Sequence, residues 1–130
     1  MQTITATIGK DHYRTVLQGD TNLAIADEPA SVGGTDLGFS PDELLASALA
    51  ACTAITLRMY ADRRQYSLEQ VDVQVSVDWD KKERRTTLKK SLRFTGDLKP
   101  EEIQRLREIA DKCPTHQALV NPISIETTMI

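Results

Sequence analysis

The sequence predicts an α+β fold, and three observations carry that prediction. Candidate strands fall in neighbouring pairs that suit antiparallel hairpins. The two helical patterns are not interleaved one per strand, as a doubly wound sheet requires. Residues 71–80, within the stretch 68–80, alternate apolar and polar without a break.

"QTITATIG" sets Ile4, Ala6 and Ile8 against threonines, a strand pattern, and "GKD" can turn it into a paired strand in "HYRTVLQG". A third short strand in "TNLAIADEPA" ends before Pro29, and "SVGGTDLGFS" is a Gly-rich loop without phosphate-loop spacing. Helix one follows. Ser40 is its N-cap, Pro41 suits N1 and Glu43 sits at N3, completing a capping box. Leu44, Leu45, Ala48, Leu49, Cys52, Ile55 and Met59 recur at helical spacing and predict its core face. Charge returns only at Arg58, Asp62, Arg63 and Arg64, and cations suit a helix C-terminus.

Val71, Val73, Val75, Val77 and Trp79 predict a long half-buried strand, with "KKERRTT" as a charged hairpin tip and "LKKSLRFTGDL" as the return strand. Helix two begins near Pro100 and turns Ile103, Leu106, Ile109 and Ala110 toward the core. It stops around Cys113, because Pro114 disfavours helix in the residue before it. "PTHQALV" reads as a short turn of helix and "ISIETTMI" as a closing strand.

A chain of 130 residues with 40% hydrophobic and 27% charged residues is expected to form a single domain, 1–130, with its own core. A net charge of −3 and only 5% aromatic residues argue against a nucleic-acid partner. No apolar run approaches the roughly 20 residues that span a bilayer, and the first residues lack a signal-peptide pattern. The expectation is a cytoplasmic protein with no membrane partner. Two cysteines do not make a disulfide scaffold; in a reducing compartment they are free thiols, structural or redox-active.

Cys52 sits among alanines in mid-helix, where a cysteine commonly serves as a small hydrophobe. Reactivity requires the thiolate, and the helix dipole helps little three turns in. A cation from elsewhere must therefore supply the field, and the N-terminal hairpin offers Lys10 and Arg14. Cys113 ends helix two and can cap the short helix that begins at Pro114. That makes Cys52 the better nucleophile and Cys113 the better resolving partner. Metal binding by Cys52, Cys113, His12 and His116 has no CxxC or HxxxH pair behind it. His116 can partner Cys113, or be a satisfied surface histidine.

"SPDELLASALAACTAITLRMYA", followed at a distance by "DKCPTHQALVNPISIE", resembles the OsmC/Ohr family of osmotically inducible and organic hydroperoxide resistance proteins, in its general OsmC-like branch. Shared features are a Pro-acidic-x-Leu helix start, an Ala-rich run to the first Cys, and a later Cys-Pro leading to a short helix and a final strand. The resemblance covers nearly the whole chain. It implies antiparallel sheets around two main helices in an intertwined homodimer. It further implies a thiol peroxidase acting on organic hydroperoxides, less well on hydrogen peroxide, with no cofactor and a dithiol reductant, lipoyl-type or other.

Residue by residue, the resemblance makes Cys52 the peroxidatic and Cys113 the resolving cysteine. Its helix-start acid falls on Asp42, with Glu43 beside it in the capping role. Its activating arginine lies in a Gly-Gly-Arg-Asp turn, where this chain reads "IGKD" and carries Lys10; Arg14 in the next strand can reach in instead. Lysine lacks the planar fork that holds a thiolate and a carboxylate together. Asp42 and Cys52 are also ~15 Å apart along one helix. That separation is too long for one cation of the same chain to touch both, so a shared cluster calls for an acid from a second chain. The alternative is a binding protein for a hydrophobic ligand with structural cysteines. A thiol–disulfide oxidoreductase ranks last for want of CxxC.

Overall fold

The computed structural model describes residues 2–130, which divide into two compact units, 2–46 and Ser47–Ile130, with the boundary inside the first helix. In the first unit, β1 (Thr5–Thr7), β2 (Thr15–Gln18) and β3 (Leu23–Ala26) form an antiparallel meander, with Ala6 opposite Leu17 and Val16 opposite Ile25. The Gly-rich stretch then folds back on β3. A Cβ on Gly38 would run into the carbonyl of Ile25, and one on Gly34 into that of Glu28, so glycine is required at both close approaches.

Asp27 is the knot of this loop. It is buried, and its carboxylate accepts the backbone N–H groups of Tyr13, Glu28, Thr35 and Leu37 and the hydroxyl of Thr35. Five donors on one carboxylate satisfy backbone groups that a Gly-rich loop cannot pair in a ladder.

Helix α1 (Pro41–Arg63) starts where its capping box predicts. Glu43 N–H donates to Ser40 Oγ at 3.3 Å, and Ser40 N–H donates to Glu43 Oε1 at 3.0 Å. In the second unit its buried stripe is Leu49, Thr53, Leu57 and Ala61, one residue per turn. This corrects the expected face: Ala48, Ile55 and Met59 are exposed. The helix is apolar nearly all round, with a mean hydropathy of 1.5 over its best window, so periodicity could not choose a side. By length and composition it is also long and apolar enough to cross a membrane, contrary to the expectation that no run is.

β4 (Leu68–Asp80) and β5 (Arg85–Gly96) pair antiparallel, with a register shift between Leu68 and Gln70 and with Val75 opposite Lys90 and Val73 opposite Leu92. Val71, Val73, Val75 and Val77 are half-buried as the alternation predicts, whereas Trp79, near the tip, is exposed. α2 (Pro100–Ala110) buries Leu106, Ile109 and Ala110 and leaves Ile103 exposed. Leu57, Ala61, Leu68, Leu106, Ile109 and Ala110 form the core, flanked by Tyr60, Tyr66, Val71, Leu92 and Phe94. α3 (Pro114–Val120) follows, with Cys113 as its N-cap.

The expected closing strand is a second correction. Residues 121–130 form no strand, and Ile123, Ile125, Met129 and Ile130 are exposed. Alternation gives a segment strand propensity, but a strand exists only against an edge, and no described residue provides one for this tail.

Candidate active site

Cys52 and Cys113 are both free, the first half-buried on α1 and the second fully buried between α2 and α3. The next residue of α1, Thr53, is on the buried stripe, and its Oγ1 is 3.5 Å from Cys113 Sγ. As the α3 N-cap, Cys113 Sγ also accepts the His116 backbone N–H at 3.3 Å. The sequence expectation that Cys113 can cap this short helix holds.

Several forces act on the Cys52 thiol. Burial is the largest single influence and pushes it up. Hydrogen bonds from the Thr115 hydroxyl and backbone, from the Cys113 side chain and from Thr56 outweigh that penalty, and the thiol falls below its ordinary value. The largest influences that favour the thiolate are thus hydrogen-bond donors.

Beside the cysteines is a buried cation that the sequence reading missed. Lys90, with its side chain only 9% exposed, sends Nζ to the Ala110 carbonyl at 2.7 Å, to His116 Nδ1 at 3.0 Å and to Thr53 Oγ1 at 3.2 Å. An ammonium has three donors and no acceptor, so all three are used, and His116 Nδ1 is the unprotonated ring nitrogen. Asp111 Oδ1 is 3.8 Å from Nζ, and the Arg107 guanidinium, hydrogen-bonded to Asp111 at 2.9 Å, holds that carboxyl below its usual range. The signal was present: Leu88, Lys90, Leu92 and Phe94 share one half-buried face of β5, and a charge on such a face requires partners.

His116 is therefore a satisfied half-buried histidine whose backbone, not its ring, serves Cys113. Among the described residues no group of three or more His, Cys, Asp or Glu side chains is placed to hold a metal. A cavity of about 250 Å³ opens in the same unit, lined by Leu49, Leu88, Leu119 and Val120 with Arg85, Thr86, Thr87 and His116. Leu49 is one helical turn before Cys52.

The other expected site residues belong to the first unit. Lys10 and Asp42 are exposed, Arg14 makes a loose 3.9 Å pair with Asp11, and Glu43 is engaged in the capping box. A cavity of about 400 Å³ in that unit is lined by Tyr13, Thr15, Asp27, Val32 and their neighbours.

A sequence profile described as OsmC-like protein matches residues 34–128, spanning both cysteines. The chain belongs to this family. Solved structures agree on the fold. An OsmC-like protein of Mycoplasma pneumoniae has a TM-score of 0.77 at 20% identity, with 92% of this chain and 87% of that one covered. An organic hydroperoxide resistance protein OsmC of Legionella pneumophila has a TM-score of 0.68 at 23% identity, covering 92% and 88%. The organic hydroperoxide resistance protein OhrB of Bacillus subtilis has a TM-score of 0.62 at 25% identity, covering 91% and 89%. No curated protein sequence matches. The α+β architecture with antiparallel sheets is thus that of OsmC-like proteins, reached here with three helices.

Proposed function

We propose that this OsmC-like protein is a thiol peroxidase for organic hydroperoxides, with Cys52 as the peroxidatic and Cys113 as the resolving cysteine. One observation carries the reading: Thr53, the residue after Cys52 on α1, has its Oγ1 3.5 Å from Cys113 Sγ, so both free cysteines belong to one neighbourhood, and the more exposed of them has its thiol lowered. The thiolate of Cys52 attacks a peroxide oxygen and the O–O bond breaks. The alkoxide leaves, takes a proton and becomes an alcohol, and Cys52 becomes a sulfenic acid. Cys113 sulfur then attacks Cys52 sulfur. The hydroxyl departs with the Cys113 proton as water, and a disulfide remains. An external dithiol reduces it by two exchanges and is itself oxidised to a disulfide.

The cavity beside Leu49 has one apolar side, formed by Leu49, Leu88, Leu119 and Val120, which suits an alkyl chain and favours organic peroxides over hydrogen peroxide. From the resemblance we take a homodimer and a single domain over residues 1–130, with a cation from Lys10 or Arg14 and an acid from Asp42 or Glu43 completing the site. Glu43 is already held by its cap, so Asp42 is the better acid. Free thiols suit a reducing, cytoplasmic setting. The same cavity supports a second reading, a carrier of hydrophobic ligands with structural cysteines.

The test is peroxide consumption with a dithiol donor. Cys52→Ser abolishes it. Cys113→Ser leaves a sulfenic acid that dimedone traps and excess peroxide carries to sulfinic acid. Consumption that survives Cys52→Ser overturns the peroxidase reading.

A further inference from the structure

The cavity beside Leu49 has a second, polar side, made by Arg85, Thr86, Thr87 and His116. No carboxylate reaches it from the elements that wall it. β5 and α3 contain no Asp or Glu, and α1 carries no charge between Glu43 and Arg58. The charge on the lining is therefore positive and comes from Arg85.

Arg85 has no counterion. Among the described residues its guanidinium makes no ion pair. Asp80 stands opposite it on β4, but Asp80 Oδ1 accepts the backbone N–H groups of Lys82 and Glu83 at 3.0 and 3.2 Å instead. His116 adds a second donor to the lining. Its Nδ1 accepts from Lys90 at 3.0 Å, so the neutral ring keeps its proton on Nε2, which has no hydrogen-bond partner among the described residues.

We propose that this cavity is a binding site for a short amphiphilic carboxylate, its alkyl chain against Leu49, Leu88 and Leu119 and its carboxylate on the guanidinium of Arg85. Each end of the occupant is set by the lining. Leu49 is buried and Leu88 and Leu119 are half-buried, so burying a chain there removes apolar surface from water. Arg85 is exposed and stands at the mouth, where its planar fork matches a carboxylate's two oxygens. A neutral head leaves that fork to water, and an ammonium head meets a like charge. At about 250 Å³ the cavity is smaller than the roughly 300–1,000 Å³ of sites for drug-sized ligands, so the chain is short. Leu49 is one helical turn before Cys52, so an occupant lies against that turn of α1. The site rests on its lining and not on the peroxidase reading.

The test is calorimetric titration of the full chain with octanoate, 1-octanol and octylamine, which share a chain and differ in the head. Octanoate is expected to bind about fivefold more tightly than octanol at low salt, and octylamine most weakly. Arg85→Gln lowers octanoate affinity about fivefold, the upper end for an exposed ion pair, and leaves octanol unchanged. Leu119→Asn weakens octanoate and octanol alike, which locates the chain. No binding, equal affinity for octanoate and octanol, or octanoate affinity indifferent to either substitution overturns the proposal. Octyl phosphate binding more tightly than octanoate overturns the carboxylate assignment. A chain that binds octanoate through Arg85 and consumes no peroxide supports the site and overturns only the peroxidase reading.

Discussion

At the scale of single residues, the thiol chemistry is governed by hydrogen bonds. Thr115 contributes both its hydroxyl and its backbone to the lowering of Cys52. In wild type the Cys52 alkylation midpoint is expected below the ordinary thiol value of about 8.5. Thr115→Ala removes the hydroxyl and keeps the backbone, so the midpoint rises and the rate at pH 7 falls several-fold; an unmoved midpoint would show the hydroxyl to be idle. Asp27 gives a second pH signature. Its Thr35 hydrogen bond, with those of Tyr13, Glu28 and Leu37, overcomes burial and holds its carboxyl far below the usual range. A depressed carboxylate stabilises the fold above its unfolded value, about 3.9, and that contribution is lost as pH falls from there toward the folded value. Thermal melts from pH 7 to 3 are expected to show Asp27→Asn melting several degrees lower at pH 7, with the gap narrowing in acid. Neither residue stood out in the sequence. The cysteines were legible there as a motif, but the donors around them come from α1, α3 and the Cys113 cap, and only the fold brings these together.

At the scale of elements, the sequence was most legible where one local rule acted alone. The Ser40–Glu43 box, the alternation of β4 from Val71 to Val77 and the stop before Pro114 are each set by neighbours in the chain, and the structure keeps them all. The face of α1 was not legible, because Ala, Thr and Leu surround the helix and tertiary packing decides which stripe is covered. Its buried line runs through Thr53, whose hydroxyl is satisfied by Lys90 and Cys113. α2 allows a direct comparison of two residues that the pattern treated alike. Leu106 is fully buried in the core, whereas Ile103 is 43% exposed. Leu106→Ala is expected to cost about 2–5 kcal/mol of unfolding free energy, and Ile103→Ala well under half of that. Urea titrations of both variants measure the difference; equal losses would mean that Ile103 is covered in solution by something outside one chain.

At the scale of the whole molecule, the question is what covers the apolar surface that one chain leaves open. The tail reads as a strand by its alternation, yet it lies unpaired, with Ile125 86% exposed. Ile55 and Met59 on α1 are exposed as well. Apolar side chains gathered on a tail and on one helix mark an association surface more often than scattered single residues do. An unpaired strand-forming segment gains backbone hydrogen bonds only by adding to another edge. The proposed homodimer is expected to supply such an edge from its second copy, which would account for a strand legible in the sequence and absent from the single chain. The wild-type chain is therefore expected to sediment as a dimer at micromolar concentration. Ile123→Lys with Ile125→Lys, which places two charges in the tail and leaves the Leu57–Leu106 core untouched, is expected to shift it toward monomer with the melting of the core little changed. Sedimentation velocity reads the first effect and far-UV circular dichroism the second. A wild-type chain that sediments as a monomer, or a dimer indifferent to both lysines, would mean that the tail is not where two copies meet.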